Sequence, residues 1–186
     1  RDFLLVVLLR GNDYLPAFAS AFDNERLWPV YMKWRRQDSL EAGIVLSDET
    51  STDTGAEDRL TFSRDGLRGF IRACAASTVA PSIARDEARQ GVIAYLRGLH
   101  WCLETYSAGS CPDARFRFPG SLSTYASAAL LRDHLEAPED IPIVHRSTAA
   151  PLVPLSTALA ILPVKEVEEL LLPLAPSLAS LLAEGA

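Results

Sequence analysis

The stretch DEARQGVIAYLRGLHWCLETYSAG, Asp86 to Gly109, does most to limit how this chain can fold. Val92, Tyr95, Leu96, Leu99, Leu103 and Tyr106 recur at three- and four-residue spacing, which lines them along one face of a helix. Asp86 and Glu87 stand at its start, where acids complement the helix dipole, and Gly109 fits just past its end. Trp101 falls about 200° around from Leu99, off that stripe. Such a helix is about 35 Å long, so the remaining elements must pack around it. With 186 residues and 48% hydrophobic composition there is enough apolar material for a core, in one domain or one domain plus a piece of another.

Shorter elements follow from local signals. Residues 2–9 (DFLLVVLL) form an apolar run that reads equally as a buried strand or as the end of a buried helix. The exit through Gly11-Asn12-Asp13 suits a strand that delivers a carboxylate at its end, although Asn12 and Asp13 are also ordinary helix-capping residues. From Pro16 to Arg36, Phe18, Phe22, Leu27, Tyr31 and Trp34 recur at loose helical spacing, with a kink or break expected at Pro29. Residues 47–58 (SDETSTDTGAED) are a polar loop, Arg59–Phe62 a short extended piece, and Ser63 the N-cap of a helix bearing Leu67, Phe70, Ile71 and Cys74. Further helices are expected at Ser123–Leu135, Ser156–Ile161, Lys165–Leu172 and Ser177–Glu184. The expected class is mostly α, with a short N-terminal strand.

Several function classes are disfavoured. Cys74, Cys102 and Cys111 have no CxxC spacing, which argues against a disulfide framework or a zinc site and for a reducing, intracellular setting, cytoplasmic or nuclear. Ser147–Val164 carries no charge, but Pro151, Pro154 and Pro163 break it, so no membrane span is expected. There is no initiator Met and no signal pattern, and the first ten residues read as the middle of a domain. The net charge of −6 disfavours a generic nucleic-acid-coating surface. Residues 64–117 nevertheless hold eight Arg against five acids, so contact with a polyanion is expected there if anywhere. His100, His134 and His145 are not at metal-ligand spacing.

Four segments resemble, in order, the Xrn family of 5′→3′ exoribonucleases. DFLLVVLLRGNDYLP resembles the family's D-F-(apolar)-G-N-D-F-L-P. EDRLTFSRDGLRGFIRACA is similar to its E-x-x-L-N-L-x-R-L-x-x-F stretch, and YLRGLHWCLETYSAG to Y-x-x-G-L-x-W-V-L-x-Y-Y-x-x-G. PLVPLSTALAILP, Pro151 to Pro163, matches P-F-x-P-F-E-Q-L-x-A-V-L-P without a gap. The resemblance implies that Asp13 is one of a set of acidic ligands for Mg²⁺ (or Mn²⁺), the others belonging to an N-terminal nuclease region that these residues do not include. It implies that residues 1–16 are the end of an α/β nuclease core carrying the Gly-Asn-Asp turn and that 17–186 form a helical domain, with the N-terminal strand left over from that core. It implies single-stranded RNA with a 5′-monophosphate as substrate, and a fragment inactive by itself. Gly11, Pro16, Trp101, Pro151, Pro154 and Pro163 match as structural motif residues. Asn12, Phe116, Arg115 and Arg117 are the candidate substrate contacts, with solvent the expected surroundings of the two arginines.

The departures are specific. The family's His after GNDFLP is Ala17 here. Its signature W-x-W-(Y/F)-Y-P-Y-H-Y-A-P becomes ARFRFPGSLST, placing Ala114 and Phe116 at the tryptophans, keeping Phe118-Pro119, and changing Gly120 to Thr124. A thinner aromatic face bears on how RNA threads more than on the metal. It leaves a second expectation open, the same fold kept as a catalytically inactive scaffold or as an RNA- or protein-binding module.

Overall fold

The computed structural model describes residues 1–20, 24–37, 43–48, 59–75, 80, 82–109, 111–119, 125–138, 140–144 and 146–150. It is mostly helical, with five helices and one two-stranded sheet among the described residues. In chain order these are α1 (Asp2–Leu8), a 3₁₀ turn (Asn24–Arg26), α2 (Leu27–Gln37), β1 (Val45–Asp48), β2 (Arg59–Phe62), α3 (Arg64–Ala75), α4 (Arg85–Ala108) and α5 (Ala128–Glu136). Residues Arg1–Thr148 form one compact unit and Ala149–Ala186 a second, of which only residues 149 and 150 are described. The expected helices beyond Ser156, and the Pro151, Pro154 and Pro163 positions, lie outside the described residues.

The apolar run at the N-terminus is a helix, which corrects the expected strand. Buried Leu5, Val6, Leu8 and Leu9 alternate with exposed Phe3, Val7 and Arg10 at helical spacing. Leu5 N–H donates to Arg1 O and Leu9 N–H to Leu5 O. A buried strand needs neighbouring strands for its N–H and C=O groups, whereas a helix satisfies them internally. Asp2 then serves α1 in an unexpected way. Its Oδ2 accepts from the Tyr31 hydroxyl (2.6 Å) and Ile44 N–H (2.9 Å), and its Oδ1 from Val45 N–H (2.8 Å). One carboxylate thus ties α1, α2 and the start of β1 together.

The expected helix from Pro16 to Arg36 is also corrected. Phe18 is buried but outside any helix, and Ala19 makes a parallel bridge with Ser127. A 3₁₀ turn, Asn24–Arg26, gives way to helix α2 at Leu27, so Pro29 sits in the first turn of α2, where a missing N–H is tolerated. Strands β1 and β2 pair antiparallel, Val45 with Phe62 through Asp48 with Arg59. Ser47 and Asp48, expected in a loop, close β1, and residues 49–58 lie outside the described residues. Ser63 caps α3 through a hydrogen bond from Gly66 N–H to its Oγ (3.2 Å).

Helix α4 is the central element, and Gly109 closes it in the left-handed conformation expected of a C-terminal glycine (φ 68°). Val92, Tyr95, Leu96, Leu99 and Leu103 are buried as the stripe requires; each such side chain contributes about 1.5–3 kcal/mol. Its middle is buried all round, since His100, Trp101, Cys102 and Glu104 are covered as well. Tyr106 departs from the stripe reading and is 53% exposed, because it lies in the last turn beyond the packed elements. Helix α5 starts at Ala128, later than expected, and is joined to α3 by a two-pronged Arg72–Glu136 pair and by Arg64 donating to the carbonyls of Leu135 and Ala137.

Candidate functional site

The GND turn is built on α4. Gly11 adopts φ 87°, and a Cβ there would lie 2.8 Å from Ala17 N, so both conformation and space require glycine. Asn12 organises the rest of the loop: its Oδ1 accepts from Tyr14 N–H (2.8 Å) and Leu15 N–H (2.9 Å), and its backbone N–H donates to Leu15 O (3.0 Å). Phe18 N–H to Leu9 O (2.8 Å) closes the base of the loop. Two anchors fix it to α4, one turn apart. Leu15 is buried against Gly98, where any Cβ would collide with Leu15 Cδ2, and Asn12 Nδ2 donates to Cys102 Sγ (3.7 Å). Asn12 therefore has its amide committed to the turn and to α4 rather than offered to a ligand.

Asp13 and Tyr14 occupy the apex and are exposed, Tyr14 by 52%. Tyr14 tilts against Trp101 (ring centroids 5.1 Å), and Trp101 stacks on Phe116 (5.2 Å, 18° between planes). Trp101 Nε1 donates to Asp113 O (2.8 Å), and Asp113 Oδ1 accepts Arg115 N–H (2.9 Å), so residues 113–116 cross over the indole and hold it. That is why Trp101 is buried although it lies off the apolar stripe. The Tyr106 hydroxyl pKa is raised, first by partial burial and then by Cys102, Tyr14 and the Asp13 carboxylate. Burial also raises the Cys102 thiol, against the opposing hydrogen bond from Asn12.

The sequence-derived candidates thus divide. Gly11, Asn12, Asp13, Trp101 and Phe116 come together around one turn of α4, and Pro16 is half-buried beside them. Arg115 and Arg117 are exposed on the segment that carries Phe116. Sequence reasoning singles out neither Tyr14 nor Tyr106 as a site residue; the Cys102–Tyr106 spacing of one helical turn is the available signal. Among the described residues no group of three or more His, Cys, Asp or Glu side chains converges to hold a metal ion. Mg²⁺ prefers oxygen donors, so the Asp13 carboxylate fits one position in a shared shell, and the described residues do not make up a shell by themselves.

A second polar cluster, which has no signal in the sequence, is structural. His100 Nε2–H donates to Leu60 O (2.7 Å), its Nδ1 accepts from Val144 N–H (3.2 Å), and buried Glu104 accepts Leu60 N–H (2.7 Å). Together they pin β2 and residue 144 to α4. Two cavities, of about 380 and 590 Å³, lie away from the Asp13 turn, one beside Ile83, Val92 and His134, the other beside Phe62, Arg97 and Asp140. No helix among the described residues is long and apolar enough to cross a membrane. Comparison with protein-family models, with curated proteins and with solved structures yields no match.

Proposed function

We propose that this chain is the helical part of an Xrn-type 5′→3′ exoribonuclease, in which Asp13 is the carboxylate it contributes to a shared Mg²⁺ or Mn²⁺ site. The observation that carries the reading is convergence. Residues 11–16, 98–102 and 113–118 belong to segments whose sequences resemble the family, or depart from it in one block, and all three meet at one turn of α4. A carboxylate exposed at the apex of a turn held by Gly11, Asn12 and Leu15 is pre-positioned, and pre-positioned charge costs no reorganisation when a ligand arrives. When bound, the metal would stabilise charge on the scissile phosphate and lower the pKa of a water. The remaining acids would come from the nuclease region of the same protein, which is also the nearest partner.

The residues around Asp13 have roles that follow from their exposure. Tyr14, next to Asp13 in the turn, and Tyr106, in the last turn of α4, are both exposed, and base–aromatic stacking contributes about 1–3 kcal/mol per base. Trp101 and Phe116 brace Tyr14 from beneath. Arg115 and Arg117 are within reach of solvent and suit backbone phosphates rather than base edges. Single-stranded RNA with a 5′-monophosphate is the substrate class this reading names. The test is end-chemistry: the protein including its nuclease region should release nucleoside monophosphates from 5′-monophosphorylated RNA and leave 5′-hydroxyl RNA intact. Equal digestion of both would refute the reading.

A second reading, an inactive scaffold of the same fold, is favoured by Ala17 and by the exposed aromatic side chains that a binding module would use. Absence of the acidic set from the nuclease region would select it.

A further inference from the structure

The exposed large apolar side chains among the described residues fall in separate places. Tyr14 belongs to the Asp13 turn and Tyr106 to the last turn of α4. Phe3, Val7, Trp28 and Met32 form a patch on α1 and α2 that the chemistry at Asp13 does not use. Phe3 (62% exposed) and Val7 lie one turn apart on α1, and Trp28 and Met32 one turn apart on α2. The Phe3 and Trp28 rings meet edge to face at 5.2 Å and join the two helices. Tyr31 stacks on Trp28 at 5.1 Å and is itself held by Asp2, so the patch is fixed before anything covers it. A contiguous set of such side chains is the centre of an interface rather than ordinary surface. Val7 and Met32 offer no ring to a base, so a protein surface suits the patch better than RNA.

The charges around the patch fix the chemistry of that surface. Between residues 24 and 37, Arg26, Lys33, Arg35 and Arg36 stand against Glu25 alone. Arg35 lies two turns on from Trp28 and Arg36 one turn on from Met32, so both lines of α2 end in a base. Arg10 continues the line of Phe3 and Val7 just past α1. Asp2, the one acid of α1, is turned inward to Tyr31, Ile44 and Val45. A basic rim calls for carboxylates on the opposing surface and disfavours a second copy, which would set base against base. Helix α1 also leads directly into the Asp13 turn. Val7 and Asp13 are six residues apart, so whatever seats on Val7 lies within about 20 Å of that carboxylate. We propose that the exposed face of α1 and α2 is where the nuclease region docks, through apolar side chains rimmed by acids. This face has that role only on the reading above, that a nuclease region belongs to the same protein; it is then the surface that brings the remaining ligands to Asp13.

Met32 is the only methionine of the 186 residues, so its oxidation by hydrogen peroxide, read by peptide mass spectrometry, reports whether this face is covered. In the 186-residue chain Met32 should oxidise readily, at a rate independent of protein concentration. In the protein with the nuclease region proposed for it, the rate should fall about tenfold or more. A second arm uses stability. Met32→Glu should leave the thermal midpoint of the 186-residue chain within about 1 °C. In the longer protein it should lower the midpoint by about 5 °C or more, because a carboxylate is buried against acids. Arg36→Glu should lower the longer protein's midpoint at low salt and less at high salt; a midpoint that ignores it contradicts the acidic rim. Equal oxidation of Met32 in both proteins overturns the proposal. So does protection that appears in the 186-residue chain only at high concentration, which would mean a second copy, or only when RNA is added. Digestion of 5′-monophosphorylated RNA without Met32 protection removes the docking face and leaves the nuclease reading. Protection without digestion keeps the docked region and removes its nuclease role.

Discussion

Replacing Asp2 with alanine removes three acceptor contacts at once. The carboxylate takes hydrogen bonds from the Tyr31 hydroxyl and from Ile44 and Val45 N–H, at 2.6–2.9 Å. A hydrogen bond to a charged group contributes about 1.5–3 kcal/mol, and Ile44 is fully buried, so its N–H would lose its partner out of reach of water. Three such losses share one side chain and do not add fully; the expected cost is about 3–5 kcal/mol. Against a typical stability of about 5–15 kcal/mol this is large. Urea unfolding followed by circular dichroism measures it. Tyr31 supplies an internal check, because its pKa is raised from 10.0 to about 12, first by burial and then by the Asp2 hydrogen bond and charge. A folded pKa above the unfolded value means stabilisation that is complete below pH 10 and lost as pH rises through about 12. In Asp2→Ala the phenol should titrate lower, though still above its ordinary value because burial remains. A cost under about 0.5 kcal/mol, or an unchanged phenolate titration, would refute this account of how α1, α2 and β1 are joined.

The GND turn carries three further expectations. Gly11→Ala should cost about 1–3 kcal/mol, from the strained φ and the clash with Ala17, measured by thermal unfolding. Asn12→Ala should cost about 1–2 kcal/mol and speed amide exchange at Tyr14 and Leu15, whose N–H groups lose their acceptor. On the proposed reading Asp13 is one ligand of a set, so the 186-residue chain by itself should show no EDTA-sensitive nuclease activity; activity that EDTA abolishes would contradict the proposed division of the site.

What can be read from sequence is whatever has a local cause. Helix α4 is legible because a stripe, acidic start and closing glycine coincide, and Ser63 is legible as a cap because capping is a matter of three residues. The first helix is not, since seven consecutive apolar residues, Phe3 to Leu9, suit strand and helix alike. What separates them is the set of partners available to its backbone and to Asp2, the nearest being Tyr31, 29 positions away. The GND turn is legible as a turn, yet not in how its side chains are shared out: Asn12 is consumed by N–H groups two and three residues on, which leaves Asp13 at the surface. Trp101 is legible as a residue off the apolar stripe, but its cover, the 113–116 segment, has no periodic signal. Arginine content does not show how the side chains are shared out: of the eight on residues 64–117, Arg64 and Arg72 are engaged with α5 and Arg68 with Asp65.

The most direct test of the central claim is whether the protein, with the nuclease region proposed for it, digests 5′-monophosphorylated RNA in Mg²⁺, and at what rate in wild type and in Asp13→Ala. The turn is held by Gly11, Asn12 and Leu15, so the variant should keep wild-type thermal stability and lose about 100-fold or more in rate. A stable Asp13→Ala protein that digests the RNA at the wild-type rate would show that this carboxylate is not part of the catalytic site.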